Sequence, residues 1–136
     1  YSSSGFTDMP MNHKVFLAQF DAIKKLASEG PCVMVGRCAD YALAEYKDCF
    51  SVFVHADTDW RINRLSQKHN KTAKEAKDMI NKTDKSRSSY YNYYTNKKWG
   101  AASSYNLCVD SSKLGIDGAT KAIIQAIEIF DSIKNK

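Results

Sequence analysis

The 136-residue sequence contains no G-x-x-x-x-G-K-[ST] stretch. Its glycines, Gly5, Gly30, Gly36, Gly100, Gly115 and Gly118, are scattered, and none opens the backbone cradle with which such loops wrap a phosphate chain. The cysteines, Cys32, Cys38, Cys49 and Cys108, show no C-x-x-C spacing, and Cys32 and Cys108 lie in apolar runs. That argues against a zinc site or a disulfide framework and reads as reduced thiols in a cytoplasmic protein. His13, His55 and His69 are scattered without ligand-like spacing, so no structural metal is expected. No apolar run approaches the roughly 20 residues of a membrane span, so no membrane partner is expected. The polar start lacks the charged and apolar segments, in order, of a secretory leader. No repeat, low-complexity stretch or linker divides the chain. The expectation is a single domain over 1–136, long enough for one core but not two.

What is present is ordinary for a soluble globular protein, 43% hydrophobic and 26% charged. The charge is unevenly placed, however. Of the net +5, the stretch from Arg61 to Lys98 carries +8, from eleven Lys or Arg against Glu75, Asp78 and Asp84, so the remainder carries −3. One basic segment on a mildly acidic background suits an anionic ligand, and equally a solvated, lysine-rich helix face.

The apolar pattern gives an order of elements. Val15, Phe16, Phe20, Ile23, Leu26 and Ala27 have helical spacing, with Asn12 as a candidate N-cap and Gly30-Pro31 as a stop. Cys32-Val33-Met34-Val35 is a short apolar run ending at Gly36, which predicts a buried strand. A second run, Phe50 to Ala56, predicts another. Asp57-Thr58 then offers an N-cap to a helix carrying Trp60, Ile62 and Leu65, and Thr72 with Glu75 forms a capping-box pattern opening a further helix towards Tyr94. Asn106 to Asp110 predicts a third strand. Ile116, Ala119, Ile123, Ala126, Ile127, Phe130 and Ile133 form the apolar stripe of a final helix. Buried strands alternating with helices predict an α/β fold, a three-layer parallel sheet with helices on both faces. Three strands make a narrow sheet. Tyr1-Ser2-Ser3-Ser4-Gly5 reads as the inside of a loop, so at least one further strand is expected from sequence upstream of Tyr1.

In open parallel sheets ligands bind beyond the carboxyl ends of the strands. Those ends are Gly36-Arg37, His55-Ala56-Asp57 and Asp110-Ser111-Ser112. A guanidinium at Arg37 can fork onto phosphate oxygens, or pair with Asp40 or Glu45. Arg61, Arg64 and Lys68 share one helix face. Arg87 falls on the same stripe as Ile80 and Thr83, where a charged residue calls for a partner or ligand, and Asp84 can orient it or accept hydrogen bonds from a sugar or base. Tyr90, Tyr91, Tyr93 and Tyr94, followed by Lys97, Lys98 and Trp99, can stack on bases, although core packing is the more ordinary use of such a cluster.

Several of these stretches together resemble the cytidylate kinases and, more closely, the cytidylate kinase-like branch. They are Val35-Gly36-Arg37, Phe53-Val54-His55-Ala56-Asp57, Arg61-Ile62-Asn63-Arg64, Thr83-Asp84-Lys85-Ser86-Arg87 and Val109-Asp110-Ser111-Ser112. Gly36 to Tyr41, Tyr90 to Tyr94 and Lys98-Trp99-Gly100 point to the branch. The resemblance runs from about Pro31 to Ile127, with a weaker extension back to Phe6. It implies a P-loop-kinase-like fold whose N-terminal strand and phosphate loop are absent from this chain, with a lid-like basic helical region over about 57–100. It implies a phosphotransferase that moves a phosphoryl group from ATP, with Mg²⁺, to a nucleoside monophosphate such as CMP; this chain alone is expected to be inactive. Arg61, Arg64 and Arg87 would be catalytic, Arg37, Asp40 and Asp84 would bind the acceptor, and Ser111 and Ser112 would lie near the donor's adenine. Such chemistry needs positioning and positive charge more than covalent help. Cytidylate kinases carry Asp-Gly-Arg-Asp where this chain has Val35-Gly36-Arg37-Cys38; both acids are absent, and Asp40 is a shifted substitute at best. Two other readings stand beside this one: a non-catalytic nucleotide-binding or regulatory domain on the same fold, and, more weakly, RNA binding by the basic, Tyr-rich segment.

Overall fold

The computed structural model describes residues 9–134. The elements are α1 (Met9–Glu29), α2 (Ala39–Ala42), β1 (Val52–His55), α3 (Thr58–His69), α4 (Ala73–Thr95), a short 3₁₀ turn (Ala102–Ser104), β2 (Leu107–Asp110) and α5 (Ser111–Lys134). Contacts divide the chain into two units, Tyr1–Cys49 and Phe50–Lys136.

In the first unit, α1 begins at Met9, so Asn12 lies inside the helix and is not its cap. Pro10 is tolerated because first-turn N–H groups have no intrahelical acceptor. Ile23 packs with Ala39, Ala42 and Leu43 of α2 and its exit, backed by Phe20, Ala27, Met34 and Cys49. The strand expected at Cys32–Val35 does not form. The run has no regular structure, and Val33 and Val35 are 95% and 90% exposed. Apolar character alone does not make a strand; its N–H and C=O groups need a ladder partner, and among the described residues the run has none. The expected stop at Gly30-Pro31 is where α1 ends.

The second unit is built on two parallel strands in register, Val52 opposite Leu107 through His55 opposite Asp110. The connection between them runs through α3 and α4, as parallel pairing requires a long crossover. This corrects the three-layer expectation: among the described residues the sheet has two strands, and helix α5 packs along both. Val54 is half exposed, so β1 is not buried on both faces. The predicted strands at 50–56 and 106–110 and the helices after them are present.

The local reasons are visible. Thr72 caps α4: its hydroxyl accepts from the Glu75 N–H at 3.2 Å, while the Glu75 carboxylate accepts from the Thr72 N–H at 2.8 Å, a reciprocal capping box. These contacts with Thr72 hold the Glu75 carboxyl below its ordinary range. Asn70 and Asn96, both in the left-handed region, end α3 and α4. The α3 cap differs from expectation: Asp57 makes no side-chain cap bond. Its N–H instead donates to Ser112 Oγ at 3.1 Å, and its carboxylate lies 3.2 Å from Lys113 Nζ. Helix α5 starts directly at Ser111 and is broken at Gly115 (φ 70°). Of its apolar stripe, Ala119 is buried and Phe130 meets Phe50 at 5.1 Å, whereas Ile116, Ile127 and Ile133 are exposed because a two-stranded sheet covers only part of so long a helix.

Candidate functional site

The basic segment folds into a helical pair. α3 and α4 are joined through the Asn70–Thr72 turn and pack against each other. Between them, Asp84 of α4 receives a two-pronged bond from Arg61 of α3: Nη1 donates to Oδ2 at 2.7 Å and Nη2 to Oδ1 at 2.9 Å. Such fork-on-carboxylate pairing fixes direction as well as distance. Arg87, one turn along α4, donates through Nη2 to the same Oδ1. One carboxylate is therefore shared by two guanidiniums, leaving a net positive charge. Asp84 is 24% exposed and Arg61 28%. Partial burial by itself raises the Asp84 pKa and is the largest single influence. The hydrogen bonds from Arg61 and Arg87, with their charges, together outweigh it and hold the carboxyl below its ordinary value.

The two arginines are not equivalent. Arg61 is committed to Asp84 through both ends of its fork, whereas Arg87 gives a single nitrogen and is 54% exposed. Arg87 is thus at the surface and does not face inward, as its place on the apolar stripe had suggested. Its stem can lie along the helix while its head stays in water. The guanidinium carbon lies 5.0 Å from the centre of the Trp99 ring. Arg64, exposed, lies over Trp60 at 5.5 Å. Lys68 is exposed near the end of α3. The shared face of Arg61, Arg64 and Lys68 therefore divides into a clasped arginine, an arginine on an indole and a solvated lysine.

Trp99 reaches Arg87 because α4 ends and the chain doubles back. Thr95 is buried; its hydroxyl donates to the Tyr91 carbonyl at 2.6 Å and accepts from the Lys97 N–H at 3.1 Å. Asn92 Oδ1 then accepts the Trp99 N–H at 2.7 Å, tying the returning segment to the last turns of the helix. Trp99 meets Phe53 of β1 edge-to-face at 5.3 Å, and Phe53 packs on Tyr105 at 4.9 Å. Gly100 takes φ +76°, and a Cβ there would stand 3.2 Å from the Phe53 ring, so glycine is what permits this approach. The tyrosine cluster divides in the same way. Tyr91 is 5% exposed and stacks with Tyr105 at 6.0 Å, as core packing predicts, whereas Tyr93 is 55% exposed.

At the strand ends, Ser111 is buried and its hydroxyl donates to the His55 carbonyl at 3.0 Å, locking β2 to β1. Ser112 donates through its hydroxyl and its N–H to Asp110 Oδ1, and these bonds hold the Asp110 carboxyl below its usual range. Both serine hydroxyls therefore brace the carboxyl ends of the sheet.

Arg37 and Asp40 belong to the first unit. Gly36, Arg37 and Cys38 all have left-handed φ values of 72°, 57° and 56°. Two successive non-glycine residues there carry a steric cost, which the bond from the Ala39 N–H to the Gly36 carbonyl at 3.2 Å helps to hold. Arg37 is exposed at this turn, and Asp40 follows it in the first turn of α2. Cys38 is buried; burial first, and the Asp40 charge second, push its thiol up to about 11, so it is protonated and not nucleophilic at neutral pH. All four cysteines are free thiols. Among the described residues no group of three or more His, Cys, Asp or Glu is placed to hold a metal ion, and no helix is long and apolar enough to cross a membrane.

Sequence reasoning named the charged members of the clasp but missed Trp99 and Asn92 as its supports. The Trp60–Arg64 contact has the i, i+4 spacing of helical neighbours and could have been read in advance. The Arg87–Trp99 contact crosses a helix end and had no spacing signal.

Two parallel strands joined through a basic helical pair, with two arginines gathered round one carboxylate, define a helix-rich α/β domain. The chain belongs to the cytidylate kinase-like family, whose model matches residues 1–113. It is also similar to an uncharacterized protein from Eubacterium ventriosum ATCC 27560. That crystal structure matches with a TM-score of 0.82 at 33% identity, covering 86% of this chain and 74% of that one. No curated protein matches the sequence.

Proposed function

We propose that this chain serves a nucleoside monophosphate kinase-like phosphotransferase, moving a phosphoryl group from ATP to a nucleotide such as CMP. The observation that carries the reading is the Arg61–Asp84–Arg87 clasp on the basic helical pair, taken with membership of the cytidylate kinase-like family. Phosphoryl transfer spreads negative charge over the equatorial oxygens of the moving group, so its catalysts are positioned cations. Asp84 would act by holding Arg61 and Arg87 in fixed directions. Arg87, giving only one nitrogen to Asp84, and Arg64 would supply donors to the phosphates, with Arg61 as the fixed charge behind them. Arg37, with Asp40 beside it in sequence, would take the acceptor phosphate. Ser111 and Ser112, proposed near the donor base, would contribute by fixing the strand ends, since their hydroxyls already bond His55 and Asp110.

Mg²⁺ would enter with the ATP phosphates. The described residues do not fit a metal site of their own: both Asp84 oxygens are engaged by guanidiniums, and no acidic cluster stands elsewhere among them.

The test is a turnover assay of the full-length protein with ATP, Mg²⁺ and a panel of ribo- and deoxyribonucleoside monophosphates. Formation of ADP dependent on one acceptor supports the proposal. Tight nucleotide binding without turnover of any acceptor would replace it with a non-catalytic nucleotide-binding role. Salt-dependent binding of single-stranded RNA without nucleotide binding would favour the basic face as an RNA surface.

A further inference from the structure

We propose that Trp99 is a positioning residue for Arg87, its indole face holding the guanidinium where an incoming phosphate meets it. This rests on the phosphate-gripping reading of the helical pair given above.

Arg87 is more than half exposed, on a long and mobile side chain, yet it is held on two sides. Asp84 takes one of its terminal nitrogens, and the Trp99 ring lies 5.0 Å from its central carbon. The negative face of an indole attracts a guanidinium without consuming its N–H donors, so the contact fixes the group and leaves its outward donors to bond an anion. A second carboxylate in the place of Trp99 would fix it equally well but would neutralise it.

The ring is itself anchored. Its own backbone N–H is held by Asn92 at 2.7 Å, its ring meets Phe53 edge-to-face at 5.3 Å, and the next residue, Gly100, lies against the Phe53 ring in a left-handed conformation. Phe53 belongs to β1. Through Trp99 the position of Arg87 is therefore referred to the sheet, and not only to the helix that carries it. Arg64 repeats the arrangement on Trp60, but within its own helix, at 5.5 Å. The two tryptophans of the chain thus each lie under an arginine, and Trp99, in contact with Phe53 of β1, lies under the arginine that joins the clasp.

The experiment compares Trp99→Phe and Trp99→Leu in the full-length protein. Two quantities are read: the ¹⁵N-resolved chemical shift of the Arg87 Nε proton, which a ring face moves upfield, and the dissociation constant for inorganic pyrophosphate by calorimetry. The expected result is an upfield Arg87 signal in the native protein, largely kept by Phe and lost with Leu. Pyrophosphate affinity should fall about two- to five-fold with Leu, the range of an exposed cation–π contact, and by less with Phe. If the Leu variant does not fold, Asn92→Ala loosens the same ring without removing it and should move both quantities in the same direction. An Arg87 signal indifferent to Trp99→Leu, with pyrophosphate binding intact, overturns the role of Trp99 alone. A lost ring shift with unchanged pyrophosphate affinity overturns it too. No pyrophosphate binding by the native protein, with the ring shift present, refutes the phosphate reading and the role that rests on it, leaving only a packing contact.

Discussion

Replacing Asp84 with Asn keeps the shape of the side chain and removes the charge that two arginines share. The cost follows from the geometry. An exposed ion pair contributes about 0.2–1 kcal/mol, whereas breaking a buried one costs about 3–5 kcal/mol. Asp84 and Arg61 are about a quarter exposed and joined by two well-formed bonds, and Arg61 can still reach water when its partner is lost. The expected loss is therefore about 1–2 kcal/mol, intermediate between those limits. For a chain of this size that is roughly 3–8 °C in melting temperature. Urea unfolding followed by circular dichroism measures it, with the second unit, which contains α3 and α4, as the part affected. The pH dependence gives an independent check. The folded-state pKa of Asp84 is lowered, so its stabilising contribution is present above the unfolded-state value, near 4, and is lost as pH falls through the lower folded value. The stability gap between native and Asp84→Asn protein should accordingly be constant near neutrality and close progressively below about pH 4. An Asn variant as stable as the native protein at pH 7, or a gap that widens on acidification, would refute the clasp as described.

Other substitutions probe the supports. Gly100→Ala must adopt a left-handed φ and press a methyl on the Phe53 ring; a loss of about 1–2 kcal/mol is expected from the backbone alone, read as a lower urea midpoint, and an unchanged midpoint would contradict the packing. Ala76, fully buried, should not accept Leu: overpacking there is expected to cost about 1–3 kcal/mol in the same assay. Thr72→Ala removes the hydroxyl that caps α4 and should lower helicity and the unfolding midpoint, whereas Thr72→Ser should keep both. In turnover, Lys68→Ala is expected to have little effect, because Lys68 is exposed near the end of α3 and outside the clasp.

The parts of the fold that could be read in advance are those governed by local chemistry. The capping box at Thr72 and Glu75, the runs at Phe50–Ala56 and Asn106–Asp110, and the helix-spaced apolar residues of α1 and α5 all carry their cause within a few residues of chain. Cys32–Val35 misled for the opposite reason. Its strand character depended on a partner strand elsewhere, and in the described residues it pairs with none and exposes its valines. The sheet was overestimated by the same reasoning. The site shows the same division. Asp84 as a partner for Arg87 was legible from their i, i+3 spacing on one helix, whereas the fork from Arg61 joins two helices and no spacing encodes it. That Arg87 sits outward, and on Trp99, was not legible. It depends on where the chain turns after Thr95 and on which ring the turn brings back, neither of which a helical period encodes. Ser111 and Ser112 were read as rim residues and follow directly on the carboxyl end of β2, but their hydroxyls bond His55 and Asp110, and the bond to His55 is set by the register of two strands distant in sequence.

The proposed part of the arginines around Asp84 in phosphoryl transfer is tested by the rate of ATP-dependent phosphorylation of the best monophosphate acceptor by Arg87→Ala beside Lys68→Ala in full-length protein. Loss of one transition-state guanidinium contact predicts a fall in kcat of about 10²-fold or more for Arg87→Ala, with Lys68→Ala within about two-fold of native, since surface charges away from a site act weakly. Equal, small effects of the two substitutions on a folded, active enzyme would contradict that part and remove Arg87 from the site.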